Sequence, residues 1–163
     1  FAEEFKNNKI NSIHEVEWVT GCSLLINLRE FENREIFDEK FFLYFEEFDL
    51  CKSLIKINKK IYSSNRLKIH HLGFQSSLNE NHDENLKKIN IKNWHYMWSS
   101  FYFYKKNYNF FYALFKLSGK FFKSFIKMIF YSVIFKKEKR DKYLYRFLGL
   151  LNSILGNPSN FRN

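Results

Sequence analysis

The sequence predicts an α/β body followed by a helical, basic, aromatic-rich tail. Three observations carry this expectation. Over residues 1–84, short apolar and β-branched runs alternate with one amphipathic stretch. From about residue 85 the texture turns helical and aromatic, without a proline until Pro158. The charge also divides along the chain. Residues 1–90 carry 13 basic and 15 acidic side chains, a net −2, whereas residues 91–163 carry 14 and 2, a net +12. A near-neutral front and a basic back point to an anionic partner for the back part.

At 163 residues the chain is long enough for one domain with a core. Biased composition can explain single lysines or asparagines. It does not explain why acids stop after Glu84 except for Glu138 and Asp141. Cys22 and Cys51 give neither a disulfide framework nor a metal-ligand spacing, which suits a reducing compartment. The polar N-terminus shows no signal-peptide pattern. It begins with Phe rather than Met, so the chain is expected to be a piece of a longer protein.

Taking the elements in order, "VEWVTGCSLLINL" (16–28) is β-branched and apolar and reads as a buried strand. "REFENREIFDEK" follows as a short helix and a turn. From Glu46, the residues Leu50, Cys51, Leu54 and Ile55 fall on one helical face. "KKIYSS" and "RLKIHHL" read as two short strands, and "GFQSSLNENHDEN" as a polar loop. In the tail, 109–135 is the clearest helix of about three. Its lysines Lys116, Lys120, Lys123 and Lys127 are spaced 4, 3, 4. At ~100° per residue they share an arc of about 60°, and nearly everything else in the segment is apolar.

On residue physics alone, the adjacent Glu46 and Glu47 have an ordinary explanation. Acids at a helix start meet free N–H groups and the positive end of the macrodipole, worth about 0.3–1 kcal/mol each. His70 and His71, if in a strand, point to opposite faces and cannot both ligate one metal by simple alternation. Neither pair by itself identifies a function.

Their order along the chain says more. The segment "VEWVTGCSLLINLREF…IFDEKFFLYFEEFDLCKSL…KIHHLGFQSS" resembles the second half of the catalytic domain of glycosyltransferase family 2, in its rhamnosyltransferase-like branch. The matching positions are Trp18, Gly21, Phe37-Asp38-Glu39, Phe41 to Glu47, Asp49-Leu50, His71, Gly73 and Ser76-Ser77. The likeness is close over roughly 16–77 and weaker through the tail. It implies the C-terminal half of a GT-A (Rossmann-like) domain, residues 1–84, carrying the acceptor side, with residues 85–163 as the helical tail. It also implies a metal-dependent, inverting transfer of a sugar from a nucleotide-sugar.

That chemistry needs a base for the acceptor proton, a divalent cation (Mg or Mn) on the leaving diphosphate, and an aromatic wall for the sugars. Carried over position by position, the base falls on Glu47. Glu46 would hold sugar hydroxyls, Trp18 would line the acceptor side, and the metal-binding histidine falls on His71. Asp49 joins the substrate-side set, although a local bond to backbone or a neighbour suits it better. Glu47 departs from the family's usual Asp, Ser53 from an Arg and Asn65 from a Pro. No Asp-x-Asp occurs, so the nucleotide-binding half is expected to lie outside these 163 residues and the piece alone to be inactive.

The function expected of the full-length protein is transfer of a sugar, with dTDP-rhamnose the candidate donor, to a saccharide or lipid-linked acceptor in cell-surface polysaccharide synthesis. The alternative is a non-catalytic membrane- or partner-binding fragment of the same shape. For the tail, the expectation is attachment to an anionic membrane surface on the cytoplasmic face, with the lysine stripe reaching the headgroups. Four lysines argue against a simple span, at about 2.5–3.5 kcal/mol each near a helix centre. Nucleic-acid binding ranks lower because the apolar area far exceeds what base stacking needs. The stripe could also be the solvated edge of a packed helix.

Overall fold

The computed structural model describes residues 13–31, 35–71 and 81–162. It is mostly helical, 60%, with a small two-stranded antiparallel sheet. Contacts divide the chain into two units, and the division is not a single cut in sequence. One unit takes residues up to Ile36 and Glu47–Gly73; the other takes Phe37–Glu46 and the chain from residue 74 onward.

In the first unit, β1 (Ile13–Val16) pairs with β2 (Ile61–Ser64), Ile13 opposite Ser64 and Val16 opposite Ile61. A 3-10 turn covers Leu28–Phe31. Helix α1 (Glu46–Lys56) starts where the sequence places it. It buries Leu50 and Cys51 as expected, but also Asp49, while Ile55 is exposed. Its end follows from Asn58, which adopts φ +58, a conformation asparagine tolerates. Asn58 N–H donates to the Ile55 carbonyl (3.0 Å) and Lys59 N–H to the Leu54 carbonyl (2.9 Å). This paired closure satisfies two of the helix's last carbonyls and turns the chain into β2.

Two strand expectations are corrected. The run 16–28 is not a buried strand: β1 ends at Val16, and most of the following residues are exposed, Leu25 at 99%. The cause is competition from α1, along which Trp18 to Gly21 lies, as described below. Residues 67–71 are likewise irregular and exposed. Because Ile13 already faces Ser64, an extension of β2 would have to pair with residues before 13, which lie outside the described set.

The second unit holds three helices: α2 (His82–Asn107), α3 (Phe110–Val133) and α4 (Lys137–Ile154). The helical tail is therefore present. The predicted polar loop ends earlier than expected because the Asn81 side chain caps α2, accepting from Asp83 N–H at 2.9 Å. Asn109 caps α3 the same way, accepting from Tyr112 N–H at 2.7 Å. The core joins Met97 and Phe101 of α2, Ala113 and Leu117 of α3, and Leu150 of α4. Gly149 lets α4 approach the α2 backbone at Trp94. Ser153 Oγ donates to the Trp98 carbonyl at 2.9 Å. Among the described residues no helix is long and apolar enough to cross a membrane.

The segment 37–46 is strapped across this helical unit. Asp38 accepts from Tyr102 Oη (2.9 Å) and Lys106 Nζ (2.7 Å), while Ser99 Oγ donates to the Leu43 carbonyl (2.8 Å). Ser159 Oγ donates to the Lys40 carbonyl (2.8 Å), and the Arg162 guanidinium lies 3.5 Å above the Phe42 ring.

Candidate functional site

The first turn of α1 brings Glu47 beside the segment that carries Trp18 and Gly21. Trp18 lays its ring against Phe48, with centroids 4.8 Å apart. The backbone of Val19 hydrogen-bonds the buried Cys51 thiol. Gly21 leaves its Cβ space open toward Glu47, whose Cβ and Cδ would stand 3.9 and 4.0 Å from an added methyl. Three successive contacts thus fold Trp18 to Gly21 along α1, although some thirty positions separate the two in sequence.

Glu47 is half-buried, and its Oε2 is enclosed without a hydrogen-bond partner among the described residues. An enclosed carboxylate oxygen with no donor is costly, and folded chains rarely keep one without a use. It stands in the first turn of α1, at the end of the helix where backbone N–H groups are left free. Burial pushes the Cys51 thiol up, the Val19 hydrogen bond opposes this, and the charge of Glu47 one turn away raises it further. The thiol is therefore a packing group rather than a nucleophile.

The remaining predicted residues fall as follows. Asp49 is buried rather than presented to solvent. Glu46 belongs to the second unit, where its charge adds to burial in pushing the Tyr44 phenol up. His71 is exposed beyond the end of β2, as is His70. Gly73, Ser76 and Ser77 lie outside the described residues. Among the described residues no three His, Cys, Asp or Glu side chains converge as a metal-ligand group. His71 enters as a single imidazole donor, and the reading of this site rests on the carboxylate.

No family model matches the chain, and no curated protein or solved structure matches it either.

Two features escaped the sequence. Tyr44 and Phe45, directly before the acids, both have left-handed backbones, φ +68 and +73. For bulky residues this conformation is strained and persists only where surroundings hold it. The holding groups are the Ser99 bond to Leu43 and ring contacts of Tyr44 with Tyr96 and of Phe45 with Tyr96 and Phe103. The second feature is His14 on β1, whose Nδ1 is enclosed without a partner among the described residues. A single histidine in a short strand carries no pattern that would have marked it.

Proposed function

We propose that this chain is the acceptor-side part of an inverting glycosyltransferase of GT-A type, with Glu47 as its base. The observation that carries the reading is the enclosed Oε2 of Glu47, without a hydrogen-bond partner among the described residues, beside the Trp18–Gly21 segment. It supports the resemblance because that likeness implies both pieces in one site, and neither composition nor periodicity requires them to meet.

In the proposed reaction, the Glu47 carboxylate takes the proton of an acceptor hydroxyl. The acceptor oxygen bonds to the anomeric carbon from the face opposite the leaving group. The anomeric C–O bond to the nucleoside diphosphate breaks, and its electron pair leaves with the diphosphate. A divalent cation, when bound, would neutralise that leaving group. Trp18, partly exposed against Phe48, offers the flat apolar surface that a sugar ring packs on. Glutamate reaches about 1.5 Å further than the aspartate usual in the family, so its helix must sit correspondingly further back.

The test is transfer of radiolabelled rhamnose from dTDP-rhamnose to lipid-linked acceptor by the full-length protein. Glu47→Gln should lower the rate by about 10²–10⁴-fold, the range for losing a general base. Full activity in Glu47→Gln removes the assignment.

A further inference from the structure

Helix α3 is apolar on its outer side as well as on its inner one. At ~100° per residue, Phe111, Phe115, Phe122, Ile126, Ile129 and Val133 fall within about 60° of arc. All six are exposed, Phe115 at 83% and Phe111 at 78%. The buried residues of the same helix are Ala113, Leu117 and Ser124, on nearly the opposite side. A helix on the surface of a water-soluble domain turns charged and polar residues to that outer side instead.

The charges that α3 itself carries are all of one sign. Helix α3 contains no Asp or Glu. Lys116 and Lys123 stand exposed on its flank, while Lys120 lies 5.5 Å from the Tyr96 ring and Lys127 donates to Tyr143 Oη at 3.2 Å. Past the helix end, Phe135 is 92% exposed with φ +55, immediately followed by the exposed Lys136 and Lys137.

We propose that this face of α3 lies in the plane of an anionic lipid surface, its aromatic and aliphatic row below the headgroups and its lysines among them. The charge pattern selects this occupant. Two copies meeting through the row would bring lysine flanks together with no acid on α3 to answer them. A nucleic acid would meet the lysines and leave the phenylalanines in water. The assignment stands on α3 alone and does not depend on glycosyl transfer.

The experiment is flotation of the 163-residue chain with vesicles of equal parts phosphatidylcholine and phosphatidylglycerol, against phosphatidylcholine alone, at low and high salt. The chain should float with the anionic vesicles at low salt and lose binding as salt rises. The triple variant Phe115→Glu, Phe122→Glu, Ile126→Glu changes only exposed positions, and its fold is checked by circular dichroism. It should bind at least about tenfold more weakly, and Lys116→Gln and Lys123→Gln should each cost up to about fivefold at low salt. A chain that stays soluble with anionic vesicles at low salt overturns the proposal. So does a triple variant that floats like the parent, or a dimer without vesicle binding that the triple variant dissolves.

Discussion

Gly149 offers a direct measurement of how closely two helices approach. A methyl added there would stand 2.9 Å from the carbonyl carbon of Trp94 and 3.0 Å from its Cα, and closer still to the carbonyl oxygen. Ordinary carbon contacts need about 3.5–4.0 Å, so α4 must retreat from α2 by a good fraction of an ångström. The obstacle is backbone, which cannot rotate aside as a side chain would. Overpacking costs about 1–3 kcal/mol, and the carbonyl overlap places Gly149→Ala at the upper end. Alanine returns about 1 kcal/mol through helix propensity, leaving a net loss of about 2 kcal/mol, or roughly 4–8 °C in Tm for a chain of this size. Gly119 is the matched control, since an added methyl meets nothing within 4 Å. Gly119→Ala should stabilise by about 0.5–1 kcal/mol. Thermal and urea unfolding followed by circular dichroism reads both. A Gly149→Ala variant as stable as the parent would refute the close packing of α4 on Trp94.

Other substitutions test the strap and the buried groups. Burial disfavours the Asp38 carboxylate, but hydrogen bonds from Lys106, the Lys40 N–H and Tyr102 outweigh it and hold the group below its ordinary value. Its contribution is thus complete above the unfolded carboxylate value of about 3.9 and is lost as pH falls through the lower folded value. Asp38→Asn should cost about 1.5–3 kcal/mol in urea unfolding at neutral pH, the range for a bond to a charged group, and should flatten the acid limb. Burial pushes the His95 imidazole down, opposed by its bond to the Phe161 carbonyl and aided by Arg162. A depressed folded value means that stability is complete above the unfolded value of about 6.5 and falls as pH drops through the lower folded value. His95→Gln should abolish that slope in pH-dependent melting. Cys22 is exposed and Cys51 buried, so Ellman's reagent should titrate one thiol in native protein and two after denaturation.

The start of α1 was legible because the acids and the apolar spacing of Leu50, Cys51 and Leu54 agree with each other. The run from Val16 to Leu28 misled because β-branched residues also pack well along a helix, and among the described residues only β2 forms a sheet with this part of the chain. The existence of three tail helices was readable from texture and from the lack of proline. Which side of α3 turns inward was not, because phenylalanine surrounds the helix and the small residues Ala113 and Ser124 mark the buried side. Of the candidate site, Glu47 and Trp18 could be named from order along the chain. The left-handed Tyr44 and Phe45 could not, since aromatics rarely adopt that backbone and nothing local announces it. Asp38, which the resemblance places in a motif near the acids, turns out to latch onto Tyr102 and Lys106.

That latch affects how the protein can be dissected. A fragment beginning at residue 85 would keep Ser99, Tyr102 and Lys106 but discard Leu43 and Asp38, which accept their bonds. It would also leave Ser159 without Lys40 and Arg162 without the Phe42 ring. Expression of the three helices by themselves should therefore include residues 37–46, added as a separate peptide or fused through a linker, if the excised bundle is to hold its shape.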